Sequence, residues 1–294
     1  MTIRELEKTF TDQLSLLYDF EEARNLAWLT ISYVCRLNRI QYLDAKQNVL
    51  SSKDESTLFQ MLDELKTGKP LQYVLGETEF YGLPFKVDSS VLIPRPETEE
   101  LVDWIIKEVQ NTEIGSKSQS IKILDIGTGS GCIPISLKKN IPDAQVFGLD
   151  ISEKAIETAT RNSAMNQTEV RFFKDDILNP VQQEILDTKF SIIVSNPPYV
   201  TYAEKDQMHQ NVLAFEPHTA LFVSNDDPLI FYKTIADFAI GHLEDNGKLF
   251  LEINENLAEE TIKLIRDMGF TNTTLRTDLR GRDRMIKAEK PPTK

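Results

Sequence analysis

Cysteine is nearly missing from this chain of 294 residues, in which Cys35 and Cys132 are the only two. They lie far apart in unlike surroundings, which excludes a disulfide framework and any cysteine zinc spacing. Histidine is almost as scarce. His209, His218 and His242 form no ligand cluster, so no metal site is expected. Long apolar runs are missing too: the longest charge-free stretch near the start lies between Arg24 and Arg36, short of the ~20 residues that span a bilayer. Met1-Thr2-Ile3-Arg4-Glu5 is charged at once and lacks the apolar centre of a secretion signal, so the expected location is cytoplasmic, with no membrane partner. Positive charge is in deficit, with 33 Lys and Arg against 46 Asp and Glu and a net charge of −13. That balance leans against a sequence-independent grip on a phosphate backbone. Residues 1–90 carry 10 basic and 14 acidic side chains, so the deficit is not confined to one end. Glycine, though present 12 times, does not occur before Gly68.

What is present supports a folded protein of two parts. Hydrophobic residues make up 40% and charged residues 27%, enough to build a core without disulfides or metals. Thr2 and Glu5 have capping-box spacing, and Ile3, Leu6, Phe10, Leu14 and Leu17 recur at helical intervals. Further helices are expected around 20–37, 39–50 and 56–66, closed by Gly68 and Pro70. Residues 1–75 therefore read as a helical bundle. Thr78–Tyr81 and Phe85–Val87 flank Gly82-Leu83-Pro84 as a strand, turn and strand, so 76–95 reads as a β-hairpin linker. A helix is expected from Pro96, with Glu97, Glu99 and Glu100 in its first turn. Polar residues 111–120 read as a loop. Beyond them, short β-rich runs at 121–126, 145–149, 170–173, 190–195 and 248–253 alternate with helical stretches near 132–139, 152–165, 228–242 and 257–268. This alternation predicts an α/β domain over 96–294, a doubly wound and mostly parallel sheet, with an antiparallel pair at 271–276 and 284–288.

Two motifs carry chemistry. Leu124-Asp125-Ile126-Gly127-Thr128-Gly129-Ser130-Gly131 runs from a buried strand into a glycine-rich turn and a helix. Open α/β sheets bind ligands just past such strand ends, and Asp150, 23 residues after Gly127, is placed to accept both hydroxyls of a ribose. A tight turn with a helix-capping Asp has the same local pattern. The loop alone also leaves two ligands open. Dinucleotides prefer G-x-G-x-x-G, whereas G-x-G-x-G resembles the S-adenosylmethionine loop of class I methyltransferases. The second motif is Asn196-Pro197-Pro198-Tyr199 after the strand at 190–195. Its prolines fix φ and remove two donors, so the Asn196 side-chain oxygen and the Pro197 carbonyl can accept both hydrogens of a substrate –NH₂, beneath the flat face of Tyr199. Such a tetrapeptide resembles amino-methyltransferases as a class. It does not choose among adenine, cytosine, guanine and glutamine amides.

Flanking segments choose. Pro70-Leu71-Gln72-Tyr73-Val74-Leu75-Gly76, Val91-Leu92-Ile93-Pro94-Arg95-Pro96-Glu97-Thr98-Glu99-Glu100-Leu101-Val102, the loop from Leu124 to Ile133, and Glu216-Pro217-His218-Thr219-Ala220-Leu221 resemble the peptide-chain release factor N5-glutamine methyltransferases, the PrmC or HemK family. The resemblance runs from about residue 70 to Ile286. The helices before it match that family's small N-terminal domain in size and kind only. Where relatives usually carry Glu-Ile-Gly, this chain has Glu252-Ile253-Asn254.

The resemblance implies a Rossmann-like methyltransferase fold and S-adenosyl-L-methionine as cofactor. It also implies methylation of the glutamine of a Gly-Gly-Gln motif in class 1 release factors, with residues 1–75 recognising that partner. Gly127, Thr128, Gly129, Ser130, Gly131, Asp150, Asp176, Ile177 and Asn196 are expected to hold the cofactor. Asn196, Pro197, Pro198 and Tyr199 are expected to hold the substrate amide, with Asn196, Pro197 and Tyr199 as the catalytic set. Asp125 is expected to brace the loop or meet the donor's ammonium, and Arg95, Glu97 and Thr98 to shape the entrance. No nucleic-acid partner is expected, and a monomer is. A nucleic-acid amino-methyltransferase is the nearest competing reading, and a non-catalytic adaptor a more distant one. Both stay open to assay.

Overall fold

A computed structural model describes residues 1–111 and 120–293. Most of the loop expected at 111–120 lies outside them. By contacts the chain divides into two compact units, one of Met1–Glu77 with His209–Phe215, the other of Thr78–Met208 with Glu216–Lys294.

The first unit is helical, with α1 (Ile3–Leu14), α2 (Phe20–Cys35), α3 (Arg39–Asp44), α4 (Ser52–Leu65) and α5 (Leu71–Leu75). The Thr2–Glu5 capping box is formed in both directions, with Thr2 N donating to Glu5 Oε2 at 2.8 Å and Glu5 N to Thr2 Oγ1 at 3.3 Å. Asp19, Asn38 and Ser51 cap α2, α3 and α4, each side chain accepting a first-turn backbone N–H, and each cap is worth about 1 kcal/mol. Leu6, Phe10, Leu14, Ile31, Leu58 and Leu62 meet in one apolar cluster. Leu17, which continues the helical spacing in sequence, lies beyond the end of α1 and is exposed.

The second unit opens with a hairpin of β1 (Glu77–Phe80) and β2 (Leu83–Lys86). Its turn is Tyr81–Gly82, not Gly82–Pro84, because both residues take left-handed φ, 49° and 71°. That is the two-residue turn whose twist matches a hairpin. Then follow α6 (Pro96–Asn111), β3 (Lys122–Ile126), α7 (Cys132–Asn140), β4 (Gln145–Asp150), α8 (Glu153–Met165) and β5 (Val170–Lys174). Next come α9 (Gln183–Leu186), β6 (Phe190–Ser195), β7 (Val200–Thr201), α10 (Gln210–Phe215, in the first unit), β8 (Phe222–Val223) and α11 (Ile230–His242). β9 (Leu243–Glu252), α12 (Ala258–Asp267), β10 (Thr271–Thr277) and β11 (Asp283–Glu289) complete the chain.

Seven strands form one sheet in the order β10-β11-β9-β6-β3-β4-β5. The five from β9 to β5 run parallel, and β11 is antiparallel to both β9 and β10. Successive residues face opposite sides, as the pleat requires. Ile123, Ile192, Val194 and Phe250 enter one apolar cluster, and Leu124, Ile193, Leu249 and Leu251 the other. Helices cover both faces, which is why the central strands are apolar on both sides. The expected doubly wound sheet is therefore the observed one. Among the described residues no helix is long and apolar enough to cross a membrane.

Candidate active site

β3 is the middle of the five parallel strands, between β4 and β6. Its C-terminal end, with those of β4, β5 and β6, opens on a cavity of about 430 Å³. Gly127, Thr128, Gly129 and Ser130 line it from β3, Asp150 from β4, Asp176 and Ile177 from β5, and Asn196, Pro197 and Pro198 from β6. Arg95, Thr98 and the segment Pro217–Ala220 close its other side. The short parallel pair of β7 and β8 brings that segment beside the chain that follows Tyr199.

The glycine loop is built from backbone freedom and two strand-end bonds. Gly127 (φ 78°) and Gly129 (φ 52°) are left-handed, and the N–H groups of Gly127 and Thr128 both donate to the Leu149 carbonyl, at 2.8 and 2.9 Å. Asp150 is fixed by the same loop. Its Oδ2 accepts from Gly129 N and its Oδ1 from Ser152 N, both at 2.8 Å. Burial raises its pKa, while those two N–H groups oppose the shift. Each oxygen keeps further lone-pair capacity for a ligand hydroxyl.

Gly131 and Tyr199 do not line the cavity. Gly131 stands at the N-cap of α7 with φ 80°, and a Cβ there would lie 2.9 Å from Ile135 Cδ1 and 3.0 Å from Ala159 Cβ. Its glycine serves helix packing. Tyr199 donates its hydroxyl to Glu252 Oε1 at 3.1 Å, and its carbonyl accepts from Asn254 Nδ2 at 3.0 Å. The desolvated hydroxyl beside the Glu252 charge has a pKa held well above the ordinary phenol range, so it stays protonated.

Further residues shape the site, Asn162 among them without a sequence signal. Asn162 on α8 donates from Nδ2 to the carbonyls of Lys86 (3.0 Å) and Ser130 (2.9 Å), tying the hairpin to the glycine loop. Asp175 organises the loop after β5 by accepting from the backbone of Asp176, Val181 and Gln182, and Asp176 Oδ1 accepts from Leu178 N at 2.9 Å. Asn254 also donates to Glu204, so the Asn in place of the usual Gly links the end of β9 to the loop after Tyr199. Arg95 pairs with the buried Glu216 (Nη2 to Oε1, 2.6 Å), whose other oxygen accepts from Ile93 N at 3.2 Å. That pair joins the two flanking motifs across the cavity.

Polar atoms left over at the site describe what it can hold. Thr128 and Ser130 line the cavity, and no hydrogen bond of normal geometry reaches their hydroxyl oxygens. Asp125 is fully buried and does not line the cavity; its carboxylate interacts with the Thr128 hydroxyl. Burial pushes the Asp125 pKa up to about 7, the Thr128 hydroxyl opposing and the Asp150 charge adding to the effect. The Thr128 and Ser130 hydroxyls, Asp150 and the buried Ile177 together line a cavity that suits a ligand with polar substituents, a ribose and a flat apolar ring. S-adenosylmethionine has these parts.

Two family models match, "Methyltransferase small domain" over residues 106–220 and "PrmC N-terminal domain" over 5–76. A methyltransferase from Pyrococcus furiosus shares the fold, with a TM-score of 0.51 at 16% identity over 82% of this chain and all of that one. Fold and site thus define a methyltransferase with a Rossmann-like sheet. A release factor glutamine methyltransferase of Flavobacterium psychrophilum is 47% identical over 98% of this chain and 99% of its own length. Its namesake in Bacteroides thetaiotaomicron is 39% identical over 93% and 95%. The chain belongs to the release factor glutamine methyltransferase family.

Proposed function

We propose that this chain transfers the methyl group of S-adenosyl-L-methionine to the side-chain amide nitrogen (N5) of the glutamine in the Gly-Gly-Gln motif of class 1 release factors. One observation carries the reading: Asn196-Pro197-Pro198, able to accept both hydrogens of an –NH₂, lies on the same cavity as the Gly127–Ser130 loop and Asp150. Near-full-length identity of 47% to a release factor glutamine methyltransferase supports the substrate.

Bound S-adenosylmethionine supplies an electrophilic methyl group. Gly127, Thr128, Gly129 and Ser130 would hold its amino-acid and ribose portions, Asp150 its ribose hydroxyls, and Asp176 and Ile177 its adenine. An amide nitrogen is a weak nucleophile, so the protein's task is positioning more than proton abstraction. Asn196 Oδ1 and the Pro197 carbonyl accept the two N–H bonds and favour the positive charge that grows on nitrogen during attack. Tyr199 is protonated and committed to Glu252, so it anchors the loop instead of acting as a base. The proton leaves to water.

The helical unit exposes Leu16, Leu17, Phe20, Ile40, Leu43 and Val49, apolar side chains of the kind protein interfaces use, and we assign it to release-factor recognition. A net charge of −13 complements a basic protein surface. Because the substrate belongs to translation, the reaction takes place in the cytoplasm. Mass spectrometry of release factor before and after incubation tests the reading, with DNA and ribosomal RNA as alternative acceptors. Methyl transfer to nucleic acid and none to the Gly-Gly-Gln glutamine would overturn it.

A further inference from the structure

A carboxamide has two ends of nearly the same size, so shape alone cannot decide which end of Asn196 faces the substrate. Only its hydrogen-bond partners can. An Asn196 turned the wrong way would aim a donor at the donors of the substrate amide. Its orientation is therefore part of the chemistry.

We propose that Thr98 and Glu252 are positioning residues that fix the Asn196 amide with its oxygen, not its nitrogen, toward the substrate. The proposal rests on the reading of Asn196 as acceptor for the substrate amide.

Glu252 ends β9 with 1% exposure, and both of its oxygens are occupied. Oε1 accepts from the Tyr199 hydroxyl at 3.1 Å, and Oε2 accepts from Thr98 Oγ1 at 2.7 Å. Thr98 lies in the first turn of α6 and is 3% exposed. A threonine hydroxyl has one proton and two lone pairs. With the proton on Glu252, Thr98 presents only lone pairs to its other neighbour. That neighbour is Asn196, whose Nδ2 donates to Thr98 Oγ1 at 3.2 Å. An acceptor at this place selects the nitrogen end, which leaves Oδ1 for the ligand side. The polarity of the chain starts at the carboxylate. Since an ionised carboxylate is acceptor-only, neither Tyr199 nor Thr98 can reverse its donation. Burial raises the Glu252 pKa, and the Thr98 and Tyr199 hydroxyls and the Arg284 charge oppose that shift.

The three elements converge because of the sheet. β6 and β9 are neighbours, so Asn196 and Glu252 leave adjacent strand ends, and α6 delivers Thr98 over the β9 end. Glu252 never reaches the cavity lining; Thr98 does. Whether Thr98 acts through Asn196 or by itself is therefore the point to measure.

The experiment uses the full chain, a release factor and S-adenosylmethionine. Thr98→Val keeps the shape and removes the hydroxyl. It is expected to lower kcat by about tenfold or more while cofactor affinity by calorimetry and the melting temperature hold. Thr98→Ser should recover most of that loss. Glu252→Gln places an –NH₂ in the carboxylate's position, which can donate to Thr98 and release the threonine proton toward Asn196, so kcat should fall as in Thr98→Val. It carries the same comparison should Thr98→Val fold poorly. The decisive arm is a double-mutant cycle: in an Asn196→Ala background, Thr98→Val should cause no further loss. An added loss as large as in the wild-type background, or a Thr98→Val enzyme with wild-type kcat, overturns the positioning role and leaves the function standing. A wild-type chain that leaves release factor unmodified overturns both.

Discussion

Gly131 and Gly129 sit two positions apart in one loop, yet the structure gives them different work. Replacing each by alanine separates packing from ligand approach. Both have left-handed φ, 80° and 52°, so alanine costs about 1–2 kcal/mol at either place. At Gly129 a Cβ meets no atom within 4 Å, and strain is the whole cost. At Gly131 it would lie 2.9 Å from Ile135 Cδ1, 3.0 Å from Ala159 Cβ and 3.2 Å from Ala159 Cα. The isoleucine tip can turn away; the Ala159 backbone of α8 cannot. Overpacking of this kind adds about 1–3 kcal/mol. Gly131→Ala should thus lose about 2–5 kcal/mol and Gly129→Ala about 1–2. Urea unfolding without ligand measures both, read at the midpoint with unchanged slope. Calorimetry with S-adenosylmethionine should show the reverse order, because only Gly129 lines the cavity. Equal stability losses, or an intact Gly131→Ala, would refute the division of roles.

Asp125 gives a pH signature. Its pKa is raised to about 7, so the folded, ligand-free protein binds a proton that the unfolded chain releases near pH 4. Its stabilising proton is fully bound below that point, and the stability is lost as pH rises to about 7. Asp125→Asn should therefore gain stability above pH 7, up to about 4 kcal/mol, and flatten the profile between pH 4 and 7 in melting curves. Asp150→Ala should weaken S-adenosylmethionine binding by about 2 kcal/mol, roughly thirtyfold in calorimetry, by removing a charged acceptor for hydroxyls. Unaltered affinity would remove Asp150 from the site. Asn254→Gly should lose about 1–2 kcal/mol of stability in urea unfolding, since it frees the Tyr199 carbonyl and Glu204. No loss would make the asparagine incidental.

Much of this architecture is written locally. Thr2 and Glu5 announce a helix start because a capping box is closed within four residues. The strand, glycine and helix sequence from Ile123 to Cys132 is equally self-contained, and the Asn-Pro-Pro that follows β6 sits where an open sheet binds ligands. What could not be read depends on contacts between distant residues. α5 is only five residues long, too short for a periodic pattern. β9 begins at Leu243, before its apolar run, because that residue pairs with Phe190. Asn162 is an ordinary polar residue of a helix until the hairpin backbone arrives beside it. Gly131 has the spacing of a ligand glycine, but Ala159 fills the space its missing side chain leaves. Tyr199 has the flat ring expected over a substrate, yet the buried carboxylate of Glu252 draws its hydroxyl inward. Glu252 itself was legible only as an acid at a strand end. Its partners come from α6 and from the loop after β6.

The central claim is that Asn196 and Pro197 orient a glutamine amide for methyl transfer. Its most direct test is mass spectrometry of the Gly-Gly-Gln peptide, after release factor has been incubated with S-adenosylmethionine and either wild-type chain or Asn196→Ala. The account predicts one added methyl group on the glutamine amide with wild type. With Asn196→Ala it predicts a rate lower by about a hundredfold, cofactor binding by calorimetry being retained. An unmodified glutamine with wild type, or equal losses of turnover and cofactor affinity in the variant, would contradict it.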